Sequence, residues 1–204
     1  LDGIHDAPVI PVIVLNDPQD AAPLARALVG GGIRMLEVTL RTPVALQCIE
    51  RIAKEVPEAV AGAGTIRSAA DAQAAALAGA RFGVSPGYTR AVGKACLDLG
   101  MPLLPGVVTS SEIMLAQEDG YQQLKFFPAL QAGGAPMLKA WQGPFGDVKF
   151  CPTGGIHAGN AAEFLSLANV ACVGGSWVVP ADAIAQKDWA RIETLAREAS
   201  NLLR

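Results

Sequence analysis

The sequence lacks the cysteine and histidine spacing that a disulfide framework or a zinc site would show. Its 204 residues include four cysteines and two histidines. The cysteines are widely separated without a C-x-x-C pair, and no histidine follows one of them at a zinc-ligand spacing. We therefore expect buried, reduced thiols in a cytoplasmic protein, and no bound metal ion. His157 precedes a predicted helix and is expected to have a capping or loop role.

Long apolar runs and an excess of one charge are also missing. Gly, Pro or a charged residue interrupts every apolar run before it reaches the roughly 18 residues that a membrane span requires. The first residues, LDGIHD, contain neither the basic stretch nor the apolar core of a secretory signal. The net charge is −3, and lysines and arginines are scattered. No nucleic-acid or membrane partner is indicated, and a small-molecule partner is favoured.

The length and composition fit one folded domain. At 204 residues, 51% of them hydrophobic, the chain can close one sizeable core, since about 100 to 200 residues per domain is usual. No Ser/Pro-rich linker or low-complexity tract divides the chain. We expect a single domain over residues 1–204.

Short β-rich segments alternate with longer helical patterns along the whole chain. Eight such segments recur at intervals of roughly 20 to 27 residues, enough for a strand, a helix and two short loops. They start at Pro8, Met35, Ala59, Phe82, Pro102, Gln123, Val148 and Val170. The last helix is expected to run from about Ala181 nearly to Arg204. Eight units predict an α/β fold, a single-domain (β/α)₈ TIM barrel, and the alternative is an open doubly wound sheet.

Alternation within two segments places charged residues inside this barrel. In LEVTLRT the residues Glu37, Thr39 and Arg41 share one face, and in QLKFFPA the residues Lys125 and Phe127 do so. Active sites of TIM barrels lie at the C-terminal ends of the strands, where these residues fall. The residues expected to face the helices instead are Val38, Leu40, Leu124 and Phe126.

An inward lysine between apolar walls has a specific chemical use. Desolvation and the nearby Arg41 cation would lower the pKa of Lys125, which makes neutral amine available near pH 7. A neutral amine is a nucleophile for ketones. Two alternatives stay open: Lys125 could form a buried structural ion pair with Glu37, and Arg41 could be a solvated charge at the rim.

Paired glycines near the ends of the last two strands indicate a phosphate site. The loops after strands seven and eight of TIM barrels often bind phosphate through backbone N–H groups, and glycines permit the close approach. The expected donors are Gly154, Gly155, Gly174, Gly175 and Ser176, with Thr153 at the edge. Tight turns are the alternative explanation. The GAGT segment at 62–65 lacks the third glycine of a dinucleotide fingerprint, so no nicotinamide cofactor is expected.

Six motifs in order along the chain resemble the 2-keto-3-deoxy-6-phosphogluconate (KDPG) aldolase family. The motifs are EVTLRT at 37–42, GAGT at 62–65, SPG at 85–87, KFFPA at 125–129, CPTGG at 151–155 and GGSW at 174–177. The resemblance implies a class I lyase without metal or other cofactor, a (β/α)₈ barrel that assembles as a homotrimer.

The resemblance also implies a role for each site residue. It makes Lys125 the Schiff-base lysine and Glu37 the acid/base group. Arg41 and Thr65 are implied to bind the carboxylate at the pyruvate end of the substrate. Thr153 lies near the substrate in this assignment. The phosphate contacts implied are Gly154, Gly155, Gly174, Gly175 and Ser176, and the pocket-lining residues are Pro86 and Phe127.

The implied reaction is cleavage of KDPG to pyruvate and glyceraldehyde 3-phosphate in the Entner–Doudoroff pathway. A closely related alternative is 4-hydroxy-2-oxoglutarate (KHG) aldolase, which acts on a substrate with a carboxylate in place of the phosphate. A phosphate-binding barrel isomerase or decarboxylase would use Glu37 and Lys125 for proton transfer without a covalent adduct. A non-catalytic sugar-phosphate binding protein would need neither group.

Overall fold

Strands and helices alternate through the part of the chain that the computed structural model describes, Ile4 and residues 7–202. The strands there are β1 (Val9–Ile13), β2 (Met35–Thr39), β3 (Val60–Gly64), β4 (Phe82–Val84), β5 (Leu103–Leu104), β6 (Gly106–Val107), β7 (Gln123–Phe126), β8 (Lys149–Pro152) and β9 (Val173–Gly175). The α-helices are α1 (Ala21–Gly30), α2 (Ala45–Glu55), α3 (Ala69–Leu77), α4 (Arg90–Asp98), α5 (Ser110–Glu118), α6 (Gly134–Trp141), α7 (Ala161–Leu165), α8 (Ala181–Ala185) and α9 (Trp189–Ser200).

The strands form a closed parallel barrel. Six strands pair in the order β5-β4-β3-β2-β1-β9, and three pair in the order β6-β7-β8. A parallel bridge between Thr153 and Gly174 joins the end of β8 to β9 and links the two sheets. At the other junction β5 continues through Pro105 into β6, so the circuit of strands returns to its start, as in a barrel. The predicted (β/α)₈ TIM barrel is confirmed, and the open doubly wound sheet is excluded.

A proline divides the fifth predicted strand. Pro105 stands between β5 and β6, where it has no N–H to donate to a ladder. Its carbonyl still accepts a hydrogen bond from the Lys125 N–H at 2.8 Å. β5 pairs with β4, and β6 pairs with β7. The nine strands thus fill the eight predicted positions around the barrel.

The C-terminal helix differs from its prediction. Lys187 adopts a left-handed conformation with φ of 53° between α8 and α9, and such a residue interrupts a right-handed helix. Asp188 then caps α9, because its side chain accepts a hydrogen bond from the Arg191 N–H at 3.1 Å. The expectation of one helix from about Ala181 to Arg204 is wrong, and Arg204 lies outside the described residues.

Capping side chains start several of the helices. Ser68, Thr89 and Thr109 each accept a backbone N–H from the first turn of α3, α4 and α5. Thr109 and Glu112 form a reciprocal capping box. The helices are short, and none within the described part of the chain has both the length and the apolar character to cross a membrane.

Apolar side chains cover both faces of the barrel wall, as expected for buried parallel strands. A small cluster fills the interior: Ile4, Ile10, Met35, Phe82, Val84, Leu104, Cys151, Ala171 and Cys172. A larger cluster packs the outer face against the helices, and it contains Val38, Leu124 and Phe126, with Leu40 at its margin. The Phe126 ring meets Trp141 of α6 edge-on, with 5.1 Å between ring centroids. The predicted alternation of inward and outward residues is confirmed in both segments.

Candidate active site

Lys125 of β7 and Glu37 of β2 meet inside the barrel. The Lys125 Nζ lies 3.3 Å from the Glu37 Oε1, and each side chain is only 4% exposed. A carboxylate at this distance can exchange a proton with the amine or with a group bound to it. The same contact would also serve a structural ion pair. Geometry thus brings together the two residues to which the sequence assigns the chemistry.

Two glycines shape the surroundings of this pair. A Cβ on Gly64 of β3 would lie 2.3 Å from the Glu37 Oε1, so the carboxylate lies directly against the Gly64 backbone. Gly106 of β6 is the register partner of Lys125. A Cβ on Gly106 would lie 2.4 Å from the carbonyl carbon of Pro86. Because glycine has no side chain, Glu37 can reach the lysine and Pro86 can approach β6, the strand next to the lysine strand.

The Phe127 ring lies beside the amine. Its centroid is 5.2 Å from the Lys125 Nζ, within the distance at which an aromatic face attracts a cation. The lysine nitrogen therefore has a carboxylate on one side and an aromatic ring on another.

Arg41 and Thr65 form a second polar contact. The Arg41 Nε donates a hydrogen bond to the Thr65 Oγ1 at 3.2 Å, and the arginine is exposed. Thr65 has φ of 62°, a left-handed conformation that is rare for a β-branched residue. Strained residues of this kind concentrate at functional sites. The exposed guanidinium has donors left for an anion such as a carboxylate.

A cavity of about 240 Å³ opens where Arg41 and the C-terminal ends of β8 and β9 meet. Eight of the twelve predicted site residues line it: Arg41, Phe127, Thr153, Gly154, Gly155, Gly174, Gly175 and Ser176. The other four do not line it. Thr65 and Lys125 contact its lining residues Arg41 and Phe127, Glu37 pairs with Lys125, and Pro86 lies beside the strand next to Lys125.

Glycine is required at the two paired positions for different reasons. Gly154 and Gly155 have φ of 104° and 75°, which side-chain-bearing residues rarely adopt. In β9, a Cβ on Gly174 would lie 2.2 Å from the Thr153 Oγ1, and a Cβ on Gly175 would lie 2.0 Å from the Trp177 ring. Turn geometry thus explains the first pair and close packing the second. Both leave the backbone open to the cavity.

Comparison with known proteins places this chain in a family. The family model described as KDPG and KHG aldolase matches residues 2–195. The chain belongs to this family of aldolases. The aldolase is 51% identical over 192 residues to the KHG/KDPG aldolase of Escherichia coli (strain K12), which covers 94% of this chain and 90% of that protein.

Solved structures agree with the sequence relatives. The KDPG aldolase of Legionella pneumophila superposes with a TM-score of 0.95 at 50% identity, over 97% of this chain and 96% of that one. That crystal structure holds pyruvate captured at low pH as a covalent carbinolamine intermediate. The Zymomonas mobilis ZM4 enzyme with 3-phosphoglycerate superposes with a TM-score of 0.94 at 49% identity, over 98% and 94% of the two chains.

Three cavity residues of the aldolase were not predicted from its sequence. They are Val12 and Val14 from the end of β1, and Ile156, which follows the glycine pair. Val12 and Val14 share the strand face of the interior residue Ile10. The alternation of side chains along the segment PVIPVIVL could therefore have predicted both. Ile156 is only 6% exposed, and no pattern in the sequence distinguishes it.

Metal-ligating side chains do not converge in the described part of the aldolase. There, no group of three or more His, Cys, Asp or Glu side chains could hold a metal ion. His157 lies in the loop after the glycine pair, where its Nδ1 accepts the Gly159 N–H at 3.1 Å. Its predicted loop role is confirmed.

Proposed function

We propose that this aldolase cleaves KDPG to pyruvate and glyceraldehyde 3-phosphate through a Schiff base on Lys125. The observation that carries the proposal is the 3.3 Å contact between the Lys125 amine and the Glu37 carboxylate inside the barrel. A class I aldolase needs one amine that attacks a ketone and one group that moves protons. The family match supplies the reaction class.

Schiff-base formation is the first half of the reaction. Lys125 attacks the C2 ketone of the substrate, and Glu37 transfers protons so that a neutral carbinolamine forms and then loses its hydroxyl as water. The product is a cationic iminium. The Phe127 ring, 5.2 Å from the nitrogen, stabilises that cation through its π face.

Carbon–carbon cleavage is the second half. Glu37, directly or through a water molecule, takes the proton of the C4 hydroxyl, and the C3–C4 bond breaks. Its electron pair moves into the iminium, which becomes the enamine of pyruvate, and glyceraldehyde 3-phosphate leaves. Protonation of the enamine at C3 and hydrolysis of the resulting iminium release pyruvate and restore Lys125.

The two ends of the substrate bind separately in this proposal. Arg41 and Thr65 hold the carboxylate next to the ketone, since a guanidinium fork matches a carboxylate. Backbone donors at the glycine pairs and Ser176 hold the phosphate, with Thr153 at the edge of the site and Pro86 in the pocket wall. Binding a phosphate far from the breaking bond positions the reacting carbon atoms.

A second substrate is favoured by the family itself, whose description includes KHG as well as KDPG. We propose that 4-hydroxy-2-oxoglutarate also reacts, because its distal carboxylate is an anion that the same backbone donors can bind. The cleavage products would be pyruvate and glyoxylate. Lys125 and Glu37 would have unchanged roles.

Borohydride reduction in the presence of pyruvate tests the Schiff base. The expected result is one reduced pyruvyl adduct, which peptide mass mapping locates on Lys125 and not on an exposed lysine such as Lys139. Absence of an adduct on folded protein that still cleaves KDPG would contradict the imine. Folded protein that forms no adduct and does not cleave KDPG would instead support the isomerase, decarboxylase or binding-protein alternatives.

We also propose that residues 1–204 form one domain and that the aldolase assembles as a homotrimer in the cytoplasm. The family resemblance supports the trimer. Exposed apolar side chains on three successive helices could contribute to its contacts: Leu77 of α3, Leu97 of α4 and Met114 of α5. Light scattering should give three times the 21.0 kDa chain mass, and a monomer mass would contradict the assembly.

A further inference from the structure

Hydrogen bonds hold three successive carbonyl groups in the loop after β8. The Ala129 N–H donates to the Thr153 carbonyl at 2.8 Å, and the Leu130 N–H donates to the Gly154 carbonyl at 3.1 Å. The third carbonyl, of Gly155, accepts from the Asn160 side-chain amide at 2.9 Å. Two of the three thus depend on the segment after β7, and the third depends on Asn160.

Asn160 also closes the loop from its other side. Its Oδ1 accepts the His157 backbone N–H at 2.8 Å, while its Nδ2 donates to Gly155. One amide side chain therefore bridges the residue before Ile156 and the residue after it. Donor and acceptor atoms of the amide are both used, which defines its orientation.

Peptide geometry links these carbonyls to the cavity. In a planar trans peptide the C=O of one residue and the N–H of the next point in opposite directions. Holding the Gly154 carbonyl orients the Gly155 N–H, and holding the Gly155 carbonyl orients the Ile156 N–H. Both residues line the cavity. Gly155 needs such restraint because, at φ of 75° and without a side chain, its own conformational preferences are weak.

We propose that Asn160 is a positioning residue that orients the Ile156 N–H toward the phosphate of the substrate. This inference rests on the proposed function, and it adds Ile156 to the phosphate donors and Asn160 as their support. Asn160 acts through the backbone and does not touch the substrate. An anion-binding loop whose donors are fixed in advance binds more tightly than one that must be ordered on binding.

Substitution of Asn160 by alanine tests the proposal with two substrates, KDPG and the same keto acid without its phosphate. We expect kcat/KM for KDPG to fall about tenfold, mainly through KM, as for loss of one anion contact. The value for the unphosphorylated acid should change less than about twofold. Competitive inhibition by inorganic phosphate should weaken by about the same factor as KDPG binding.

A matched control is available in the chain. Asn201 follows α9, and its side chain likewise donates to a backbone carbonyl, that of Arg197 at 2.9 Å. The Asn201→Ala variant should retain both kcat/KM values. If Asn160→Ala fails to fold, Asn160→Ser places a favoured N-cap residue before α7 but is too short to reach Gly155, and it should show the same selective loss.

The outcomes separate this inference from the proposed function. Equal losses on both substrates, or none on KDPG, would overturn the role of Asn160 even if the wild-type enzyme cleaves KDPG. Failure of the wild-type enzyme to form the pyruvate adduct would overturn the proposed function instead. Weaker phosphate inhibition with unchanged trapping of pyruvate on Lys125 supports both.

Discussion

The Lys125 amine and the Glu37 carboxylate lie 3.3 Å apart, although 88 residues separate them in the sequence. Both side chains are buried, so the pair is either structural or chemical. Breaking a structural buried pair typically lowers stability by about 3–5 kcal/mol. Breaking a catalytic pair lowers kcat instead. Substitutions at the site separate the two.

Replacing Lys125 by arginine should abolish cleavage while a cation remains at the site. A guanidinium stays protonated and does not attack a ketone. We expect kcat to fall at least about a thousandfold, with no pyruvate adduct after borohydride treatment. Lys139→Arg on the exposed side of α6 is the control and should have normal kinetics. Cleavage at a near-normal rate by the Lys125 variant would defeat the Schiff-base assignment.

Glu37→Gln removes a proton-transfer group with little change in shape. We expect kcat to fall by about 10² to 10⁴, the usual contribution of a general acid/base. Stopped-flow trapping should also show slower imine formation with pyruvate. The control is Glu50→Gln, which removes an exposed pair with Lys54. Loss of thermal stability with an unchanged kcat would identify a structural ion pair.

Arg41→Lys keeps the charge but removes the planar fork. We expect kcat/KM for KDPG to fall by about tenfold or more, because a lysine cannot hold a carboxylate in two parallel hydrogen bonds. Arg34→Lys is a matched control, since Arg34 precedes β2 at its opposite end and donates to the Glu58 carbonyl at 3.0 Å. Equal kcat/KM in wild type and the Arg41 variant would leave Arg41 as a solvated rim charge.

Gly64→Ala tests the space beneath the Glu37 carboxylate. The new methyl group would lie 2.3 Å from Oε1, so the flexible carboxylate must leave the position in which it contacts Lys125. We expect kcat to fall about a hundredfold, as for a misplaced catalytic group, with a small change in melting temperature. A Cβ at Gly143 meets no atom of the described residues within 4 Å, so Gly143→Ala is the control. Full activity in Gly64→Ala would show that this placement of Glu37 is not required.

The cysteines should be inert in the native enzyme. All four are buried, and burial together with the Asp17 carboxylate raises the pKa of Cys48 to about 11. Since the thiolate is the reactive form, little of it exists at Cys48 at pH 8. We expect slow thiol labelling of native protein, rapid labelling of four thiols in guanidinium, and full activity after native-state treatment. Rapid labelling of one native thiol with loss of activity would contradict this prediction.

Local patterns determined much of the fold and part of the site. Eight β-rich segments at regular spacing predicted the barrel, because each strand and its helix form from neighbouring residues. Period two placed Glu37 and Lys125 on inward faces, since side chains alternate across any strand. The motif order indicated the family. None of these inferences required knowing which strands become neighbours.

Tertiary structure decided what depends on residues far apart in sequence. The contact of Glu37 with Lys125 and the hydrogen bonds from the segment after β7 to the loop after β8 follow from how strands and loops are staggered around the closed barrel. Ile156 lines the same cavity as Val12, although the two residues are far apart in the sequence. Alternation determines the face on which a side chain lies, but barrel closure determines its partners, because stagger is a property of all eight strand positions together.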